Sequence, residues 1–129
     1  MKKENVDTIR RSHCPISTAL DVIGDKWSLL ILRDLMFTEK RSYGELQSSE
    51  EGIATNILAA RLQMLEANGI IYKSVDAETP RRPLYKLTEK GIALLPVILE
   101  LHLWMATYDT QAVACSEHLP SSLRNRAAS

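Results

Sequence analysis

Cys14, Cys115, His13, His102 and His118 are the side chains with the widest chemical reach in this chain. A thiolate is both a nucleophile and a redox group, and cysteine with histidine is a zinc ligand set. Cys14 stands before Pro15 at the expected start of a helix, with Arg10 and Arg11 close in sequence. The positive end of a helix dipole and nearby cations both favour the thiolate. A small capping residue without redox chemistry is the other reading of that position. His13 and Cys14 with Cys115 and His118 could hold a metal only across two subunits, and solvated histidines are the better reading of them. No metal and no cofactor is therefore expected. The chain carries no Gly-rich phosphate loop, no nucleophile elbow and no HExxH, so nothing in it argues for an enzyme.

A second kind of chemistry is electrostatic. Residues 73 to 90 hold Lys73, Arg81, Arg82, Lys86 and Lys90 against Asp76, Glu78 and Glu89. That stretch is locally positive, although the whole chain balances 16 basic against 16 acidic side chains. A neutral total excludes a protein coated in positive charge, but not a patch that meets phosphates. Solvated hairpin loops carry such charges too, so the surrounding elements must decide.

The chain is 129 residues long, 45% apolar and 25% charged, the size and composition of one globular domain. Residues 1 to 13 read as a polar arm, 14 to 109 as the domain, and 110 to 129 as a tail that contains Cys115. The opening MKKENVDTIRRS is basic with no apolar segment after it, so no signal peptide is expected, and no apolar run is expected to span a membrane. The cysteines are then read as a reduced, cytosolic pair.

Cys14 and Pro15 open a first helix with Ile16, Leu20 and Ile23 on one face, and Gly24 ends it. Asp25 caps a second, strongly apolar helix, KWSLLILRDLMF, which should be central. Ser42 and Glu45 have the spacing of a capping box on a short third helix. A turn of about four residues leads to a helix over residues 52 to 69, with Leu58, Leu62 and Leu65 inward and a C-cap glycine at Gly69. That is helix-turn-helix spacing. Residues 70 to 75 and 84 to 87 read as two strands of a hairpin, which makes a wing. Thr88 caps one last helix to residue 109, kinked at Pro96, with Ile92, Leu95, Leu99 and Leu103 as its apolar ridge. The expected fold is mainly α with a small β-hairpin wing.

The order Cys14-Pro15, GDKWSLLILRDL, RSYGEL, LAARLQMLEANGII, RRPLYKLTEKG and Trp104 resembles the HxlR family of winged helix-turn-helix (MarR-like) transcriptional regulators, over roughly residues 14 to 108. The resemblance implies a cytoplasmic homodimer on double-stranded DNA, built through the N- and C-terminal helices, on a near-palindromic operator and most simply as a repressor. One helix per subunit would enter the major groove. On the matched positions, Thr55, Asn56, Ala59, Ala60 and Gln63 would face the bases; Asn56 and Gln63 can each pair with adenine, and Thr55 or Ala59 can meet a thymine methyl. Arg41, Ser42, Arg81, Arg82 and Lys86 would meet the DNA backbone or minor groove. Arg61 either reaches a phosphate or pairs with an acid such as Asp34. Where the family usually caps the recognition helix, this chain has Ala54, so that end should lean on Thr55 or Gly52. Leu95, Leu99, Leu103 and Trp104 would form the dimer interface. Some relatives sense quinones, aldehydes or hypochlorite through a cysteine at the position of Cys14, with a C-terminal cysteine as partner, here Cys115. An oxidant or small-molecule inducer is thus a partner to expect; a winged-helix protein-interaction adaptor and a small-molecule-responsive regulator without a redox role, its ligand between the first and last helices, are the alternatives.

Overall fold

The structure, a computed structural model, describes residues 10–75, 78, 81–109 and 111. Cys115, His118 and nearly all of the expected arm and tail lie outside these residues.

Helix α1, Pro15–Ile23, begins at its proline as the sequence predicts. Asp25 then starts α2, Ser28–Phe37, by accepting the backbone N–H groups of Ser28 at 2.8 Å and Trp27 at 3.3 Å. α2 buries Ser28, Ile31, Leu32, Asp34 and Leu35, and is the central helix expected. A complete capping box of Ser42 and Glu45 opens α3, Tyr43–Gln47. The chain then turns through Gly52, whose φ of 72° favours glycine, into α4, Thr55–Ala67. Gly69 has the same φ of 72°, and the N–H groups of Ile70 and Gly69 reach back to the carbonyls of Leu65 and Glu66, each at 3.0 Å. This Schellman closure hands α4 directly to a strand.

Strands β1, Ile71–Ser74, and β2, Leu84–Leu87, pair antiparallel with Ile71 opposite Leu87 and Ser74 opposite Leu84. A single bridge from Ser42 to Leu84, and the Tyr85 N–H on the Arg41 carbonyl at 2.8 Å, tie the hairpin to the start of α3. Leu32, Leu58, Leu62, Leu65, Ile70 and Ile71 meet in a core where all three levels of the fold converge. The architecture is a winged helix-turn-helix.

Three expectations need correction. The last helix is two helices, α5, Glu89–Ile92, and α6, Leu95–Tyr108, parted at Ala93 and Leu94. Pro96 lies in the first turn of α6 rather than at a kink, because its ring and missing N–H are incompatible with a bond back to Ile92. Taken as one stretch, Glu89–Tyr108 is nevertheless long and apolar enough for a membrane span by length and composition, contrary to the sequence reading. Its Ile98 and Leu99 instead pack into the domain. The expected dimer ridge is not one exposed face of the single chain. Leu99 is 6% exposed and belongs to this chain's own core, while Leu95 and Leu103 are half-buried and only Trp104 stands out. The break before α6 shifts the helical phase, so a ridge counted on from Ile92 is not continuous. What faces outward is Val97, Leu101, Trp104 and Tyr108, at spacings of four, three and four.

Candidate nucleic-acid interface

α4 divides as its sequence does. Leu58, Leu62 and Leu65 are buried, while Thr55, Asn56, Ala59, Ala60 and Gln63 are all exposed. The outward five repeat every four residues, so they form one continuous stripe along the helix. Its start lacks a cap of its own, since Ala54 has no side chain to offer. Neither Thr55 nor Gly52 replaces it. Instead α3 reaches across: the Tyr43 hydroxyl donates to the Thr55 carbonyl and the Gln47 amide to the Thr55 hydroxyl, each at 2.5 Å. Thr55 is thereby partly committed to the fold, and Asn56, Ala59, Ala60 and Gln63 are the less encumbered positions.

The turn between α3 and α4 is held by Arg33 and Glu51, which the sequence reading did not single out, and by Asp34, which it gave another partner. Arg33 donates to both carboxylate oxygens of Glu51, at 2.7 and 2.9 Å, and to Asp34 at 2.9 Å. Asp34, 3% exposed, also accepts from the Ser49 hydroxyl. α2 thus grips Ser49 and Glu51 within the turn, and so holds the segment from which α4 leaves. The Arg33 hydrogen bond holds the Glu51 carboxyl below its usual range, and Glu51 in turn holds the Arg33 guanidinium above its own. The signal was present as Arg33 and Asp34 inside an otherwise apolar run.

Arg61 takes the structural of its two options, but with a different acid. Its guanidinium pairs with Asp25 at 3.2 Å, not with Asp34. Partial burial opposes ionisation of Asp25, yet the Ser28 hydroxyl and N–H, Arg61 and the Trp27 N–H outweigh it and lower its pKa. One carboxylate therefore caps α2 and anchors α4.

The expected backbone contacts separate into two groups. Arg81, Arg82 and Lys86 are exposed on the wing. Arg82 also donates to the Ser42 hydroxyl at 3.2 Å, which places its charge over the start of α3. A cleft of about 580 Å3 lies there between Tyr43, Gly44 and Ser48 on one side and Arg81 and Arg82 on the other. Ser42 and Arg41 are corrections. Ser42 is 1% exposed, its hydroxyl occupied by the capping box and Arg82. Arg41 turns inward and donates to the Leu35 carbonyl at 2.7 Å. Both residues hold α3 against the core rather than presenting donors to a phosphate.

Cys14 is exposed and its pKa is lowered, by the N–H groups of Ser17 and then Ile16 in the first turn of α1. The helix end is the cause; Arg11 turns instead to Asp21, at 3.0 Å. Among the described residues no group of three histidines, cysteines or acids could hold a metal. The expected partner Cys115 lies outside them.

The profile of the HxlR-like helix-turn-helix family matches residues 22–113. An uncharacterised HTH-type transcriptional regulator of Synechocystis sp. is 40% identical over 89 residues, 69% of this chain and 65% of the relative's length. The HTH-type transcriptional regulator YodB of Bacillus subtilis is 39% identical over 70% of this chain and 81% of its own. The reduced form of YodB superposes with a TM-score of 0.62, at 34% identity over 76% of this chain and 96% of that structure. YodB has also been solved bound to quinone and after diamide treatment. PA1607, a candidate transcription factor, superposes at 0.70 with 42% identity, over 79% of this chain and 70% of that structure.

Proposed function

Because this chain belongs to the HxlR-like helix-turn-helix family, we propose that it is a cytoplasmic, sequence-specific DNA-binding regulator of transcription, most simply a repressor, acting as a homodimer on a near-palindromic operator. The observation that carries the reading is the exposed α4 stripe flanked by the arginines of the wing. The stripe offers side-chain amides and methyl-sized surfaces to base edges, and the wing offers cations to phosphates. Few charges lie on the stripe, so base choice leans on Asn56 and Gln63 and on the shape of the DNA.

The test is a salt series of binding measurements on the DNA upstream of the chain's own gene. Asn56→Ala and Gln63→Ala should each cost about 1–3 kcal/mol at the cognate site and narrow its margin over random DNA. Arg81→Ala should weaken every sequence alike and reduce the slope of log affinity on log salt by about one. No salt-dependent binding to any sequence would favour a protein-binding adaptor instead. Arg41→Ala and Ser42→Ala should lower melting temperature along with affinity, since both residues face inward.

A redox input is supported by the exposure and lowered pKa of Cys14 at the N-terminus of α1. YodB, solved in quinone-bound and diamide-treated forms, is the relevant likeness. A thiolate there adds to a quinone ring, which takes up a proton from water and becomes a hydroquinone thioether; diamide would instead join it to a second thiol such as that of Cys115, its azo bond taking the two electrons and two protons to become a hydrazine. Either product would move α1, which carries exposed apolar residues at Ile16 and Leu20. Oxidant should release wild-type protein from its operator and leave Cys14→Ser bound. Equal responses from the two would make Cys14 a capping residue only.

A further inference from the structure

Thr55 opens α4, and α3 holds it at two points: the Tyr43 hydroxyl donates to its carbonyl and the Gln47 amide N–H to its hydroxyl oxygen, each at 2.5 Å. The hydroxyls of Thr18, Thr38, Thr88 and Thr107, the other described threonines, each donate to a backbone carbonyl. Thr55 does the reverse. Its hydroxyl accepts, and among the described residues its proton goes to nothing. Gln47 and Thr55 are both exposed, so water can replace their bond at small cost to stability. Tyr43 already grips the same residue through the backbone. The distinctive effect of the Gln47 bond is therefore on the state of the hydroxyl. A hydroxyl has one proton to give and two lone pairs to receive. With one lone pair filled by an amide N–H, the O–H is polarised and becomes a stronger donor. Its proton is left for a group outside the chain, at the head of the stripe that continues through Asn56, Ala59 and Gln63.

We propose that Gln47 is a positioning residue for DNA recognition, holding the Thr55 hydroxyl as a donor toward an acceptor atom of the operator. The assignment rests on the DNA-binding reading above. Duplex DNA offers two sources of such an atom: a base edge in the major groove, through purine N7, guanine O6 or thymine O4, and a phosphate oxygen. Cytosine N4 and adenine N6 present donors instead, and a hydroxyl held in this way disfavours them. Without Gln47 the hydroxyl turns freely, gives to one edge and takes from another, and discriminates less. A carboxylate in place of the amide has the opposite effect, because it can only accept: it takes the Thr55 proton and leaves the hydroxyl with lone pairs alone. What α4 reads at its first residue is then decided by a side chain of α3 that itself need touch no DNA.

The experiment uses the full chain and a pool of random-sequence duplexes, from which the parent, Gln47→Leu, Gln47→Glu, Thr55→Val and the combined Gln47→Leu, Thr55→Val variant each select their sites. The expected result is one position per half-site at which Thr55→Val lowers the parent's base preference by about fivefold, the worth of one hydrogen bond. Gln47→Leu lowers it at that same position and no other, the combined variant lowers it no further, and Gln47→Glu moves the preference toward a base that presents a donor. Melting transitions stay at the parent's and the preferences read by Asn56 and Gln63 stay as they are, which a merely structural role for Gln47 would not allow. If no base preference moves, single methylphosphonates in the parent's selected site test the phosphate source: the parent should lose affinity at one phosphate, and that loss should shrink equally in Thr55→Val and Gln47→Leu. The assignment is overturned if Gln47→Leu and Gln47→Glu both keep the parent's base profile and methylphosphonate pattern. It is equally overturned if Gln47→Leu weakens every position alike, or if its effect is undiminished in the Thr55→Val background. A parent that selects no sequence and binds without salt dependence defeats the regulator reading and this assignment with it; a selected site indifferent to Gln47 defeats the assignment alone.

Discussion

Leu101→Glu or Trp104→Glu should leave the chain folded, turn it into a monomer in sedimentation, and cost at least about a hundredfold in operator affinity. Val97, Leu101, Trp104 and Tyr108 stand 41, 47, 62 and 75% exposed in a continuous stripe on α6, and Ile16 and Leu20 on α1 are as bare. Such contiguous apolar surface marks an interaction site. A two-fold pair through it is the simplest closed arrangement, with recognition helices about 34 Å apart to meet successive major grooves. A monomer retains one half-site, and a hundredfold loss corresponds to about 2.7 kcal/mol, a modest share of what a second half-site contributes. Leu99→Glu should behave differently. Two residues from Leu101, it puts a charge into this chain's own core and should abolish the folded state outright. An oligomer that survives both exposed substitutions would remove the stripe from the interface.

Gly91→Ala should lower stability by about 1–3 kcal/mol, or roughly 4–8 °C in melting temperature for each kcal/mol. A Cβ at Gly91 would lie 2.2 Å from the Ile70 carbonyl oxygen and 3.1 Å from Leu87 Cδ2. The first neighbour is backbone at the Schellman closure of α4, where it also accepts the Thr88 N–H at 3.0 Å. Nothing there can rotate away, so α5 must lift from the sheet. Gly44→Ala is the control. No atom lies within 4 Å of its added Cβ, and it sits inside α3, where alanine is the better helix former. Its melting temperature should hold or rise. Equal effects from the two substitutions would deny that α5 rests on the Ile70 carbonyl.

Local signals were readable in the sequence because their causes are local. The capping box at Ser42 and Glu45, the left-handed Gly69 and the cap at Asp25 each depend on residues within four positions of one another. The split of α4 into buried leucines and an exposed stripe followed from helical period alone. Pairings between distant elements were not readable. Arg61 found Asp25 across 36 residues, and Arg33 found Glu51 across 18, choices made by how helices cross rather than by spacing. Arg41 and Ser42 have the side chains that phosphate contacts need, and only their burial reveals another use. Pro96 was seen but misplaced, because the proline forbids a bond without saying whether the chain bends or starts again.

The way α4 is secured has a consequence for how such a protein can change its target. Its inward leucines, the Schellman closure, the Asp25 anchor and the two donors from α3 onto Thr55 account for the helix's position. Asn56, Ala59, Ala60 and Gln63 take no part in any of these. On the proposed DNA-binding reading, base preference and structural integrity are then written on different residues, so duplicated copies of such a gene can diverge in the sequences they read through a handful of codons, without first passing through an unstable intermediate.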